Sequence, residues 1–155
     1  MSKAKVLFLC TANSARSQLG EALLRYHAAE HFEVYSAGLE AKGINPYTLR
    51  VLEEMQIDTS RQYSKTINEY LGKMNFGAII TVCSNADEKC PTTFLSQGAQ
   101  RLRWPFDDPA AVQGSDEEKL AAFRRTRDEI QAKILGWLQD QNLAVTNMPV
   151  EQPRP

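Results

Sequence analysis

A cysteine, five residues and an arginine, Cys10-Thr11-Ala12-Asn13-Ser14-Ala15-Arg16, with Ser17 following, form the part of the chain whose residue types could do covalent chemistry. A loop of this length between a strand and a helix can turn its backbone N–H groups inward above the helix amino terminus, making a nest for a tetrahedral oxyanion. Arg16 adds a planar fork of donors that can grip two oxygens at once. A thiol attacks as its thiolate, and the same positive field favours that form at Cys10. The pattern points to a sulfur nucleophile under a bound anion. The plainer alternative is a small buried cysteine at a strand end, followed by a surface arginine.

Two further thiols, Cys83 and Cys90, bring the cysteines to three in 155 residues. An odd count argues against a static disulfide framework and for thiols kept reduced in the cytosol, where their use is metal binding, redox chemistry, catalysis or core filling. Six residues separate Cys83 from Cys90. That is wider than the two to four of common zinc motifs, and only His27 and His31 could add imidazoles, so no metal site is expected.

These residues need elements to position them. Val6-Leu7-Phe8-Leu9 is a continuous apolar run ending at Cys10, the mark of a strand covered on both faces. Leu19, Ala22, Leu23, Tyr26 and His27 recur at helical spacing and predict a helix from about Arg16 to Glu30. Phe32 to Ala37 reads as a second strand stopped by Gly38, and Asn45-Pro46 opens a helix whose apolar face is Leu49, Leu52 and Met55. A short helix is predicted around Thr66 to Gly72, a strand over Phe76 to Val82 and a short strand over Leu102 to Phe106. Ser115 and Glu118 match a capping box for a long helix reaching about Leu138. Alternating strands and helices with short joins imply an α/β layered domain with a mainly parallel sheet. Ligands bind such sheets at the carboxyl ends of the strands, where Cys10 and Cys83 both fall.

Composition narrows the function classes. Eighteen Lys plus Arg against nineteen Asp plus Glu leave a formal charge of -1, so no nucleic acid or anionic membrane is expected as partner. No apolar run approaches the roughly 20 residues of a membrane span. The amino terminus runs straight into a strand, with no separate apolar stretch and cleavage site, so export is not expected. Residues 1 to 139 are read as one catalytic domain. The polar stretch from 140 to 155, with Pro149, Pro153 and Pro155, is read as a flexible tail.

The chain resembles the low-molecular-weight tyrosine phosphatase fold and, within it, the thioredoxin-coupled arsenate reductases. The resemblance is carried by Cys10 to Gln18, Val34-Tyr35-Ser36-Ala37-Gly38, Asn45-Pro46, Cys83-Ser84-Asn85-Ala86-Asp87-Glu88-Lys89-Cys90-Pro91 and Trp104 to Pro109. It implies an α/β three-layer sandwich around a central, mainly parallel four-stranded sheet, and a cytoplasmic monomer without cofactor that takes arsenate, with phosphate or sulfate as mimics, in a loop made by Thr11, Ala12, Asn13, Ser14, Ala15, Arg16 and Ser17. It also implies Cys10 as nucleophile, Arg16 as anion clamp and Asp108 as proton donor, with a relay from Cys10 to Cys83 to Cys90 re-reduced by thioredoxin or a similar protein.

The alternatives are a phosphatase working through a Cys10 phosphoenzyme and a non-catalytic oxyanion sensor. Gln18, where phosphatases tend to have proline, and Ala110-Ala111-Val112, where they usually carry aromatic residues, lean toward the reductases. Ala12 replaces the usual glycine, and strain is expected there if the position needs positive φ. Lys65 stands where some reductases place an acidic ligand for a monovalent cation alongside residues matching Asn13, Glu21 and Ser36. Its ammonium is expected near Glu21, in place of the ion. If Asn85 to Cys90 begins a helix, the Cα atoms of Cys83 and Cys90 lie about 10 Å apart. A disulfide tolerates about 7 Å, so the segment is expected to unwind on oxidation.

Overall fold

The computed structural model describes residues 3–83 and 99–147. Four strands, β1 (Ala4–Cys10), β2 (Phe32–Gly38), β3 (Ala78–Thr81) and β4 (Gln100–Arg103), form one sheet. Its order is β2-β1-β3-β4, and every pairing is parallel. The described helices are α1 (Arg16–Ala28), α2 (Pro46–Glu53) and α3 (Asp116–Asp140), with single 3-10 turns at Ile67–Glu69 and Pro109–Ala111. The expected α/β architecture around a parallel four-stranded sheet is what the chain adopts.

Boundaries moved where local forces outweighed pattern. α1 stops at Ala28, and the stretch predicted helical at 66 to 72 closes only one 3-10 turn, with Gly72 at φ 75°. β4 begins two residues earlier than the apolar signal at Leu102, because its pairing with β3 starts from Gln100 opposite Ala78.

The even-numbered side chains of β1 face the helices. Phe8 meets α1 so closely that a Cβ on Gly20 would fall 2.4 Å from its ring, which is why a glycine stands in that helix. Phe8, Trp104, Trp137 and Phe32 continue the contact as a row of aromatic rings between sheet and α3. On the other face Tyr35 packs edge-on against Tyr70 and Phe76, so the segment after α2 covers the odd-numbered residues. Leu7, Phe8 and Leu9 are fully buried between these layers, each contributing about 2 kcal/mol on transfer from water. α2 and α3 are pinned together by Glu54, which accepts from Arg124 and Arg127, and the Arg124 hydrogen bond holds its carboxyl below the usual range.

Residues 141–147 cross the carboxyl end of α1, whose last carbonyls need partners. Thr146 N–H donates to His27 O at 2.9 Å and Asn147 Nδ2 to Tyr26 O at 2.8 Å, while the His27 ring donates back to Thr146 O and His31 to Ala144 O. The two histidines serve as a clasp for this segment, and residues 148–155 lie outside the described part.

Candidate active site

The order of the strands decides where the site lies. From β1 the chain crosses over one way to β2, and β3 pairs on the other side of β1, so the β1–β3 boundary is the point where the winding reverses. Ligands of such sheets bind at this reversal, outside the carboxyl ends of the strands. Cys10 ends β1 and Cys83 follows β3 by two residues.

The loop between β1 and α1 is held from outside. Its carbonyls all point away from the centre: Cys10 O accepts from Leu39 N, Thr11 O from Glu40 N, Ala12 O from Lys42 N, Ser14 O from Asn45 N and Ala15 O from Leu19 N. Thr48 Oγ1 adds a second bond to Ser14 O, and Gln18 Nε2 reaches Asn13 O. With the carbonyls committed outward, the N–H groups are left to face the cradle. The first turn of α1 has no side-chain cap and no acidic residue, so its amino-terminal N–H groups also await an acceptor. An oxyanion is the ligand this arrangement selects.

This geometry depends on Gly38, which pairs with Cys10 across the sheet. A Cβ there would lie 2.4 Å from Glu40 O and 2.7 Å from Asn13 N, both backbone atoms that cannot turn aside. Gly38→Ala is expected to push the loop off its outer supports and weaken phosphate binding at least tenfold, measured by calorimetry, with the fold retained by circular dichroism. In the sequence Gly38 reads as a strand end and as the last residue of a resemblance-bearing segment, with no sign that it abuts the loop.

Asn13 orders the interior of the loop. It is fully buried, and its φ of 49° is the loop's one non-glycine residue in the left-handed region. The strain expected at Ala12 is absent, because the left-handed turn falls one residue later, on a residue type that tolerates it. Asn13 Oδ1 accepts the backbone N–H of Lys65 at 2.9 Å, which can only donate, so the amide orientation is fixed. Its Nδ2 then donates to Ser17 Oγ at 2.8 Å and Ser36 Oγ at 3.0 Å. Ser36 Oγ in turn donates a hydrogen bond to Glu21 Oε1 at 2.5 Å. Ser17 Oγ, which accepts from Asn13, lies 2.7 Å from Cys10 Sγ and can donate its proton to the thiolate form, and Asn13 N–H donates to the same sulfur at 3.2 Å. Hydrogen-bonding groups therefore converge on Cys10 Sγ, in a residue that is 3% exposed.

Lys65 closes the network from behind. Its Nζ lies 3.3 Å from Glu21 Oε1 and from Ser36 Oγ and 2.9 Å from Tyr63 O, which is the place beside Glu21 anticipated for it. Burial pushes this ammonium below the ordinary lysine value in spite of Glu21's attraction. Arg25 holds the other oxygen of Glu21 at 2.7 Å. Gln62, which bridges Arg25 and Gln18, is a further support of the loop that carried no signal in the sequence.

Arg16 Nη1 donates to Phe106 O at 2.9 Å, and Nη2 lies 3.9 Å from Asp108 Oδ2. Asp108 thus stands at the mouth of the cradle. It also caps the turn at Pro109–Ala111 by accepting from Ala110 N, and its side chain is 45% exposed. Cys83 is buried and reduced, as is Cys10, and its Sγ lies 3.4 Å from the Thr11 hydroxyl on the loop. The structure thereby gathers Cys10, Thr11, Arg16, Ser17, Cys83 and Asp108 around one crevice. Cys90 and the helix expected from Asn85 lie outside the described residues. Among the described residues no cluster of His, Cys, Asp and Glu is placed to hold a metal, and no helix is long and apolar enough to cross a membrane.

Comparison with known proteins agrees with this geometry. The family model for low molecular weight phosphotyrosine protein phosphatase matches residues 5–147. An arsenate reductase of Halalkalibacterium halodurans is 44% identical over 86% of this chain and 94% of its own. Among solved structures, an arsenate reductase in the phosphate binding state superposes with a TM-score of 0.72 at 27% identity, over 88% of this chain and 98% of that one. The thioredoxin-dependent arsenate reductase of Corynebacterium glutamicum reaches 0.65 at 26% identity, over 90% of this chain and 62% of its own. A cysteine loop braced in this way, with a second thiol at its rim, has a known home: the chain belongs to the low molecular weight phosphotyrosine protein phosphatase family and stands within it among the arsenate reductases.

Proposed function

We propose that this protein reduces arsenate to arsenite with a relay of three thiols and is regenerated by thioredoxin or a thioredoxin-like dithiol. The observation that supports it is Cys83, a second free thiol seated on Thr11 at the rim of the Cys10 loop. Hydrolysis of a phosphoester needs one sulfur. Taking arsenic from As(V) to As(III) needs two electrons, which a pair of thiols supplies by becoming a disulfide.

In the proposed sequence the Cys10 thiolate attacks arsenic, and one oxygen leaves as water with a proton from Asp108. Cys83 then attacks Cys10 Sγ. The S–As bond breaks, its electron pair stays on arsenic, and arsenite departs from a Cys10–Cys83 disulfide. Cys90 attacks Cys83, freeing the Cys10 thiolate and leaving Cys83–Cys90 oxidised. An external dithiol takes up the oxidation by exchange. The inward N–H groups of the loop and Arg16 hold the oxyanion throughout. The likeness to the Corynebacterium enzyme supports the thioredoxin assignment.

Hydrolysis of aryl phosphates is the second reading, favoured by a loop and Asp108 that would serve phosphoryl transfer unchanged. Arsenite formation driven by thioredoxin and its reductase, set against phosphate release from an aryl phosphate, separates the two. Lys65 already supplies a positive charge beside Glu21, so arsenate turnover is expected to be equal in potassium and sodium at the same ionic strength. A several-fold advantage for potassium would show that an ion still enters behind the loop.

A further inference from the structure

Behind the loop, on the far side of Lys65 from Cys10, lies a cavity of about 330 Å³ lined by Glu21, Arg25, Tyr35, Arg61, Tyr63 and Lys65, among others. It continues past Arg25 and Arg61 into a cleft of about 270 Å³ along the outer edge of β2. The reaction described above has no use for this space.

Its walls carry three cations and one carboxylate, and Glu69, which accepts from the lining Tyr63 at 2.6 Å, adds a second acidic group at the edge. Glu21 is already shared between Arg25 at 2.7 Å and Lys65 at 3.3 Å, which leaves a surplus of positive charge facing a recess. The donors are also unevenly spent. Lys65 uses its three hydrogens on Glu21, Ser36 and Tyr63 O, so it offers the cavity charge rather than a bond. Arg25 Nη2 donates to Glu21 and Val34 O and Nη1 to Gln62, so two of its five N–H hydrogens take no part in these bonds. Arg61, exposed at the rim, makes no hydrogen bond or ion pair with the described residues, beyond a longer-range attraction to Asp58.

From this we infer that the cavity is a second anion site, built for a small dianion carrying a phosphoryl-type group, with Arg61 as the mobile clamp, Arg25 as the fixed donor and Lys65 as the buried charge. The occupant is a small molecule rather than an added peptide strand. Arg25 Nη2 already caps the free edge of β2 at Val34 O, where a peptide would have to pair. Glu33 lines the neighbouring cleft, engaged by Lys5 at 3.2 Å, and concentrates the positive surplus at the Lys65 end.

The test uses inorganic phosphate as probe and the full chain throughout. In the Arg16→Ala variant, whose loop no longer grips the anion, calorimetry is expected to show one remaining saturable phosphate site per chain. The amide resonances of residues 34–36 and 61–65 are expected to shift with the same affinity. Adding Arg61→Ala should weaken that site at least tenfold, while Arg61→Ala alone leaves arsenate turnover without phosphate unchanged. Shifts at 34–36 and 61–65 that do not saturate, or an affinity unaltered by Arg61→Ala, would overturn the assignment. So would amide shifts that appear along β2 only when an extended acidic peptide is added.

Discussion

Cys83→Ser is expected to lower thioredoxin-driven arsenate reduction roughly a thousandfold or more, while aryl phosphate hydrolysis stays within about threefold of the parent. The replacement is nearly isosteric at a buried position beside Thr11, so the loop, Arg16 and Asp108 stay where they are. Cys10 still attacks arsenate, but an alcohol cannot form a disulfide, and the electron pair that should pass to arsenic has no source. The adduct can then only revert to arsenate. Cys10→Ala is the matching control and loses both reactions, because both begin at that sulfur. If Cys83→Ser instead reduced both reactions equally, Cys83 would be a support of the loop rather than a carrier of electrons.

Asn13→Ala is expected to cost about 3 kcal/mol of stability and at least a hundredfold in either reaction. Two physical terms make up the stability loss. The Lys65 N–H and the Gln18 amide lose a buried acceptor, at about 1–3 kcal/mol. An alanine at φ 49° adds about 1 kcal/mol. In a chain of 155 residues that lowers the melting temperature by roughly 10 °C. The activity loss has a different origin. Without the amide, Ser17 is no longer obliged to turn its proton toward Cys10, and a donor to the reacting group is worth about a hundredfold. Asn13→Gly separates the terms: it is expected to regain about 1 kcal/mol in thermal unfolding without regaining turnover. Full activity in either variant would mean that the chain of bonds from Glu21 to Cys10 does not prepare the nucleophile.

What could be read in advance was chemistry and alternation. Cys10 and Arg16 stood out because few residue types serve as nucleophile and anion clamp, and the strand before them is an unbroken apolar run. Asn45-Pro46 predicted a helix start, and it is one, with Asn45 accepting from Tyr47 N. That the same asparagine's N–H would hold Ser14 O could not be foreseen, because such a contact is set by two segments meeting only in the fold. Gly38 and Gln62 were hidden for the same reason, since neither shows in a pattern of periods. The clasp at 144–147 leaves no mark in the sequence for another reason. A polar, proline-bearing stretch reads as loose, and only the unpaired carbonyls at the end of α1, with two histidines beside them, explain why it is held. Ala12 carries no strain because its position does not need positive φ, and the residue type alone could not show that the left-handed turn falls on Asn13.

The account stands or falls on whether oxidising equivalents leave the loop through Cys83. A single turnover without any external reductant measures this directly: reduced protein is mixed with excess arsenate, arsenite is quantified, and the remaining thiols are counted and mapped. The expected result is one arsenite per chain, with the free thiols falling from three to one and the disulfide mapped to Cys83 and Cys90. Three thiols surviving with no arsenite formed, in protein that still releases phosphate from an aryl phosphate, would contradict it and leave a hydrolase.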